Sequence, residues 1–376
     1  MIYLDSAATT LEKPASVAKA VAHAINHLAS PGRGGHSAAT KAGKLLYRCR
    51  ERAAQLFDAE DPAQVILTSS ATHGLNIAIR SLVKPNSTVL ISGYEHNAVT
   101  RTLHAIPNVK LKIAASELFD TESAYQRFRE LLTEEVSVVI CNHVSNVFGF
   151  VQPVDCIAQL CRSRGKPLIV DASQSAGVLP VSMRQWGAAF IAMPGHKGLY
   201  GPQGTGLLLC GADAAPLLYG GTGSASLRQE MPDVLPDRLE AGTQNVCGAA
   251  GLLAGMDFIA KYGVDRIGRH EQSLCRRLAD RLKQMPGLHV FSGEAQSGVL
   301  SFQIEGMDCE SVGELLGRKG IAVRAGLHCA PLAHKTAGTL NSGTIRASFS
   351  LFNKPEQTEQ AAQAVCKIAS ERRARW

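Results

Sequence analysis

The segment PLIVDASQSAGVLPVSMRQWGAAFIAMPGHKGLYGPQGTGLLLC, residues 167–210, contains three short runs that are apolar almost throughout: PLIVDAS, AAFIAM and TGLLLC. Apolar runs of this length are typical of strands in a sheet that helices cover on both faces. Asp171 ends the first run, and Lys197 closely follows the second. Because ligands of such sheets bind beyond the carboxyl ends of the strands, the segment predicts a site that combines an acid with a lysine.

The same texture extends over most of the chain. The strand candidates VILTS, TVLISG and VSVVICNH alternate with helical patterns between residues 65 and 165. This alternation predicts an α/β fold with a mostly parallel sheet. After residue 250 an amphipathic helix and strand candidates at 298–306, 320–326 and 343–350 indicate a smaller α+β unit. We assign residues 13–250 to a large domain, and residues 1–12 with 251–376 to a small one.

Composition narrows the classes of function. The 376 residues are 45% hydrophobic and 19% charged, with a net charge of +7 that is scattered along the chain, which argues against nucleic-acid binding. Neither a secretory signal nor an apolar stretch long enough to span a membrane is recognised. Ten dispersed cysteines indicate reduced thiols and a cytoplasmic location. The basic ending SERRARW is interpreted as a solvated terminus.

Three strand ends supply complementary chemistry. Ser70, Ala71 and Thr72 stand between a strand and a helix, and free amide groups at a helix start bind phosphate. A desolvated lysine such as Lys197 forms Schiff bases, and a carboxylate such as Asp171 keeps a pyridine nitrogen protonated. Phosphate, Schiff base and pyridinium together predict pyridoxal phosphate. We interpret the five glycines around Lys197 as letting the backbone pass closely around that cofactor.

Motifs along nearly the whole chain resemble one family. They are YLDSAATT, SATHGLN, EHNAV, HVSNVFG, VDASQSAG, GHKGLYGPQGTG, LEAGTQN, VRAGLHCAP and IRASFSLFN. In order and spacing they resemble the class V aminotransferases, pyridoxal-phosphate-dependent enzymes of fold type I, and among them the cysteine desulfurases of the SufS/NifS-like group. Two positions depart from the family pattern: His73 replaces a frequent acid, and Pro194 replaces a frequent serine.

The resemblance implies roles at the cofactor. Lys197 would hold it covalently, Asp171 would pair with the pyridine nitrogen, and His96 would stack on the ring and move protons. The remaining implied contacts are Gln174 at the ring hydroxyl, Asn146 beside cofactor and substrate, Ala71, Thr72 and His196 at the phosphate, and Thr243 at the phosphate of a second subunit in a homodimer.

The resemblance also implies the reaction. Cys329 would take sulfur from L-cysteine as a persulfide, releasing alanine, and an acceptor protein would withdraw that sulfur. Arg324 and His328 lie near Cys329 in sequence, and positive charge there would favour the thiolate. Arg346 would clamp the substrate carboxylate. Ala7, Arg324 and Asn146 are the other implied substrate contacts, and no metal ligands are implied.

Several alternatives stay open. His96 is also explained as a structural histidine, Thr72 as a helix cap, and Arg346 as half of an ion pair. Arg33 and His36 would either approach the substrate or form a turn. Selenocysteine lyase, cysteine-sulfinate desulfinase and cystine lyase are alternative activities, and the acceptor could serve iron–sulfur cluster assembly, tRNA thiolation, molybdenum cofactor or selenium metabolism. A sulfur carrier without catalysis, a dinucleotide site at GPQGTG and a zinc site at His328, Cys329 and His334 are weaker alternatives.

Overall fold

The larger part of the protein is built on a seven-stranded sheet. A computed structural model describes residues 1–31 and 34–373. In the order of the sheet the strands are β2 (Val65–Thr68), β8 (Gly206–Cys210), β7 (Phe190–Pro194), β6 (Leu168–Asp171), β5 (Val136–Asn142), β3 (Thr88–Ser92) and β4 (Lys110–Ala114). Only β8 runs antiparallel to its neighbours; the other pairs are parallel. The predicted α/β class with a mostly parallel sheet is confirmed.

Helices cover both faces of this sheet, because its strands present apolar side chains on both faces. Along β6, Val170 contributes to one hydrophobic core and Ile169 to the other, since successive side chains point to opposite faces. The helices of this part are α1 (Ala15–His27), α2 (Ser37–Leu56), α3 (Ala71–Leu82), α4 (Asn97–His104), α5 (Thr121–Leu131), α6 (Val154–Ser163), α7 (Met183–Trp186) and α8 (Val246–Tyr262).

The smaller unit combines antiparallel strands with four helices. Its four-stranded sheet has the order β12 (Arg324–Gly326), β13 (Thr344–Ser348), β10 (Val299–Ile304) and β9 (Leu288–Phe291). The helices are α9 (Val264–Lys283), α10 (Cys309–Arg318), α11 (Pro331–Thr336) and α12 (Pro355–Arg373). At the N-terminus β1 (Ile2–Tyr3) pairs in parallel with β11 (Ile321–Ala322), so the first residues join this unit.

The predicted division near residue 250 falls inside α8. Met256 and Ile259 of this helix are fully buried in the core of the larger sheet. We therefore propose Gly263, between α8 and α9, as the boundary. Within the described ranges no helix has the length and apolar character that crossing a membrane requires. The last three residues of SERRARW lie outside the described residues.

Candidate active site

A cleft of about 520 Å³ opens at the carboxyl ends of β6 and β7, beside the starts of α3 and α4. Five separate segments form its walls, because the parallel strands deliver their ends to one edge of the sheet. Most of the predicted cofactor residues line it: Ala71, Thr72, His96, Asn146, Asp171, Gln174, His196 and Lys197. The structure thus brings residues that the sequence analysis singled out into one cleft, whereas the role of each residue stays a prediction.

The loop that carries Lys197 packs tightly on neighbouring backbone. A Cβ atom on Gly198 would lie 2.5 Å from the carbonyl oxygen of Ala176, and one on Gly195 would overlap the Thr205 side chain. The Tyr200 amide donates to the Lys197 carbonyl at 2.9 Å and closes the turn. At these two positions glycine permits close contact with neighbouring protein, and the passage of the loop around a cofactor stays a prediction.

The ammonium group of Lys197 is poised to lose its proton. The pKa of Lys197 is lowered to about 8, chiefly by burial; the negative charge of Asp171 opposes this shift, and the positive charges of Arg346 and Arg324 add to it. The competition between burial and Asp171 leaves a sizeable fraction of free amine near neutral pH. An amine in this state is suited to form a Schiff base.

Two neutral histidines flank the lysine. His96 caps α4, where its Nδ1 accepts a hydrogen bond of 3.0 Å from the Ala98 amide, so its proton resides on Nε2. Burial lowers the pKa of His96 to about 4, and that of His196 also to about 4. The Nδ1 atom of His196 is buried and finds no partner among the described residues. His96 is therefore both a helix cap and a wall of the cleft.

A buried carboxyl group that the sequence analysis did not single out lies behind Asp171. The Oε1 atom of Glu95 accepts a hydrogen bond of 2.6 Å from the Asn142 amide, and Asn142 pairs with Asp171 across β5 and β6. Burial, and then the negative charge of Asp171, raises the pKa of Glu95 to about 8. Glu95 stands directly before His96 in EHNAV, so the motif contained it, but nothing in the sequence marks it as buried.

Hydrogen-bond geometry independently indicates a proton on Glu95. The Ser92 hydroxyl lies 2.6 Å from Oδ1 of Asn142 and 2.9 Å from Oε1 of Glu95. The Asn142 side-chain amide donates to the Tyr94 carbonyl, which assigns its oxygen to the Ser92 side. One hydroxyl proton bonds best to the nearer oxygen, that of Asn142, so the longer contact with Glu95 favours a proton on the carboxyl group.

The start of α3 forms the opposite wall of the cleft. Ser70 caps this helix, since its hydroxyl accepts from the His73 amide at 3.1 Å. Thr72 is exposed and is not the cap, which removes that alternative. Burial lowers the pKa of His73, so this departure from the family pattern adds no fixed positive charge. Pro194 lines the cleft without offering a hydroxyl.

Arg346 connects the cleft to the first residues of the chain. It is 1% exposed, and its Nη2 atom pairs with Oδ1 of Asp5 at 2.8 Å. Its Nη1 atom donates to the Asn146 carbonyl at 2.9 Å, and its Nε atom has no partner in the described part of the protein. The ion-pair alternative therefore describes this structure. The Gln174 amide donates to the Ala7 carbonyl at 3.1 Å, which places Ala7 beside the cofactor residues.

Cys329 is exposed in the loop between β12 and α11. Its Sγ atom lies 4.0 Å from Nη2 of Arg324. His328 is buried, and burial followed by the charge of Arg346 lowers its pKa to about 2. The expectation that His328 contributes positive charge was wrong, because a buried imidazole stays neutral at physiological pH.

The contact that supports the zinc alternative in the described residues is one between two histidine rings. The rings of His328 and His334 stack with centroids 5.7 Å apart. In residues 1–31 and 34–373 no three histidine, cysteine or acidic side chains are grouped so as to hold a metal ion.

Two further predicted positions, Thr243 and His36, lie away from the cleft. Thr243 is exposed in the loop before α8 and lines a different depression together with Thr222 and Asp237. His36 is an exposed residue that caps α2, which favours the turn interpretation. Arg33 lies outside the described residues. A contact between Thr243 and a second subunit stays a prediction.

Comparisons with known proteins agree on one family. Residues 2–360 match the model of aminotransferase class-V. A probable cysteine desulfurase of Methanothermobacter thermautotrophicus is 31% identical over 98% of this chain and 94% of its own length. A probable cysteine desulfurase of Vibrio cholerae is 31% identical over 98% and 93%. Among solved structures, the apo cysteine desulfurase of Thermococcus onnurineus NA1 superposes with a TM-score of 0.88 at 28% identity, over 98% and 95% of the two chains.

Proposed function

Because the chain belongs to the aminotransferase class-V family, we propose that it is a pyridoxal-phosphate-dependent cysteine desulfurase. The observation that carries this proposal is an exposed cysteine, Cys329, hydrogen-bonded through its loop to the wall of the cleft that holds Lys197 and Asp171. A lysine and an acid in such a cleft suit many reactions of this family. An accessible thiol on a loop that is hydrogen-bonded to this cleft favours sulfur transfer.

The residues of the cleft fit pyridoxal phosphate. The first turn of α3, with the amides of Ala71 and Thr72, favours a phosphate through its unpaired donors and its dipole. At the other end Asp171 is buried and accepts one hydrogen bond of 2.9 Å from the Ser173 amide, which leaves acceptor capacity for a ring nitrogen. The unpartnered Nδ1 of His196 adds a polar group at the phosphate end.

When bound, the cofactor supplies a carbonyl group that condenses with amines and a ring that withdraws electrons from the substrate. Lys197 provides the amine, and with a pKa of about 8 its nitrogen both takes and returns a proton. Asp171 would present a carboxyl oxygen to the ring nitrogen, and Glu95, whose pKa is raised to about 8 by burial, lies behind it. His96, neutral with its proton on Nε2, offers a flat face and a donor.

The substrate is held and its sulfur accepted by groups of the smaller unit. Arg346 presents its free Nε to a carboxylate, and Asp5 and the Asn146 carbonyl fix the guanidinium plane. Cys329 attacks the sulfur of the bound L-cysteine: an S–S bond forms and the bond between sulfur and Cβ breaks. The electron pair left on Cβ, which the cofactor ring would help to accommodate, takes up a proton and completes the methyl group of alanine. L-Cysteine and the Cys329 thiol thereby give L-alanine and a Cys329 persulfide, with no net oxidation.

The proposal includes the surroundings of the enzyme. All ten cysteines are free thiols, which suits a reducing cytoplasm. The exposed Thr243 would contact the cofactor phosphate of a second subunit in a homodimer. A persulfide on exposed Cys329 is reachable by an acceptor protein, which would complete the turnover.

The experiment compares substrates on the purified holoenzyme. Its bound cofactor is identified by visible absorption, and alanine is quantified with L-cysteine, L-selenocysteine, cysteine sulfinate and cystine under reducing conditions. Desulfurase activity predicts alanine and sulfide in equal amounts from L-cysteine. Alanine from selenocysteine or cysteine sulfinate alone would replace the proposal by one of those activities, and release of pyruvate from cystine would indicate a lyase.

A further inference from the structure

Two consecutive residues of the cysteine loop adopt a conformation that side chains disfavour. His328 has a φ of +50° and Cys329 a φ of +56°, both in the left-handed region. Outside glycine such values are uncommon, and two in succession persist only where the surroundings enforce them. The position of the Cys329 thiol therefore depends on whatever holds this pair in place.

Three groups of contacts hold the strained pair. The Asn97 amide, at the start of α4, donates to the Cys329 carbonyl at 2.8 Å. The side-chain amide of Asn146 donates to the His328 carbonyl, also at 2.8 Å. The His328 ring is buried with its Nε2 3.1 Å from both the carbonyl and the hydroxyl oxygen of Thr344. Each contact comes from a different element, so the loop is fixed from three sides.

Of these contacts, the one from Asn146 has a special position. Its side chain holds His328, while its backbone carbonyl accepts the hydrogen bond from Arg346. The family resemblance implied a direct contact of Asn146 with cofactor and substrate, and in the structure one of its two amide protons is bonded to the cysteine loop. Its second amide proton and its Oδ1 atom, which is buried and without a partner in the described residues, remain for other contacts.

We propose that Asn146 is a positioning residue for Cys329. Its side chain fastens the strained loop, while its backbone carbonyl anchors Arg346, the arginine proposed to bind the substrate carboxylate. The location of the substrate carboxylate and the location of the attacking sulfur are then set by one asparagine. The catalytic consequence rests on the proposed desulfurase activity, but the fastening of the loop does not.

The test replaces Asn146 by aspartate, which keeps size and backbone but puts an oxygen opposite the His328 carbonyl. Asn26→Asp is the matched control, because the Asn26 amide also donates to a backbone carbonyl, at 2.9 Å, on exposed α1. Amide hydrogen exchange of the peptide 326–334 is measured without cofactor. We expect exchange to accelerate about tenfold in Asn146→Asp and to stay at the wild-type rate in the control.

A kinetic split completes the test on the holoenzyme. If Asn146 positions the thiol, Asn146→Asp lowers kcat for alanine formation about tenfold while KM for L-cysteine stays within about twofold. Unchanged exchange of the loop, or a raised KM with unchanged kcat, would overturn the proposal. Should Asn146→Asp fail to fold, Asn146→Ala removes the same donor without adding a charge. If the wild type forms no alanine, the desulfurase proposal fails, and the exchange result still decides the fastening of the loop.

Discussion

Glu95 should make the folded protein lose stability as the pH rises toward 8. Its pKa is raised from 4.5 to about 8 by burial and by Asp171, so the folded state keeps a proton that the unfolded state gives up. Stability falls with pH wherever the folded state binds more protons than the unfolded state. The window for Glu95 therefore runs from about 4.5 to about 8, and its contribution is constant above and below that window.

The magnitude follows from the width of this window. Each pH unit inside this window lowers the contribution of Glu95 to the free energy of unfolding by about 1.4 kcal/mol. At pH 7 that contribution is therefore about 3 kcal/mol smaller than at the lower end of the window. Glu95→Gln removes the titration. Its own packing and hydrogen-bond cost does not depend on pH, so the variant and the wild type differ in slope whatever that constant cost is.

The assay is urea unfolding of the cofactor-free protein at several pH values from about 5 to 8. The free energy of unfolding of Glu95→Gln minus that of the wild type should rise with pH, by about 4 kcal/mol over the whole range. Exposed Glu117 provides the control, since Glu117→Gln also removes one carboxyl group. Parallel curves for Glu95→Gln and the wild type would refute a protonated Glu95 and the hydrogen-bond assignment on which it rests.

Three other predictions concern the cleft and the cysteine loop. Covalent capture of pyridoxal phosphate by the cofactor-free protein should accelerate with pH and reach half of its maximal rate near pH 8, because Lys197 reacts as the free amine. Borohydride reduction and peptide mapping measure the capture, and a rate independent of pH would contradict the lowered pKa of Lys197. Arg346→Lys should raise KM for L-cysteine by about tenfold or more. One ammonium group cannot keep the contacts with Asp5 and Asn146 and also offer a donor to the substrate. Steady-state kinetics would show an unchanged KM if Arg346 is only structural. Arg324→Gln should slow the alkylation of Cys329 by iodoacetamide severalfold, because it removes the cation 4.0 Å from Sγ. Exposed Cys156 serves as the internal reference, and equal slowing of both cysteines would rule out a local effect.

The sheet could be predicted because most of its strands are buried on both faces and therefore apolar throughout. β4 was missed for the corresponding reason: it is an edge strand, and Lys110 and Lys112 give it no continuous apolar run. The reversed direction of β8 also has no local signal in the sequence. Its residues, GLLLC, are as apolar as those of the parallel strands of the same sheet. Strand identity is local, whereas strand direction depends on how the chain returns to the sheet.

The site could be predicted in outline because parallel strands bring their ends together. What the sequence could not supply is the electrostatic state of each group. His328 was expected to be cationic and is neutral, because its burial is decided by strands and helices distant in sequence. The partner of Arg346 is Asp5, 341 residues away. Such pairings exist only after folding, and they determine charge, free donors and strain.

Sulfur on Cys329 is the central claim, and a single turnover tests it most directly. The holoenzyme receives one equivalent of L-cysteine without reductant, is alkylated, digested and analysed by mass spectrometry. We predict that the peptide with Cys329 gains one sulfur atom in proportion to the alanine formed, and that Cys329→Ala forms no persulfide and loses activity. Full alanine production by Cys329→Ala, with no sulfur on the wild-type peptide, would contradict the account.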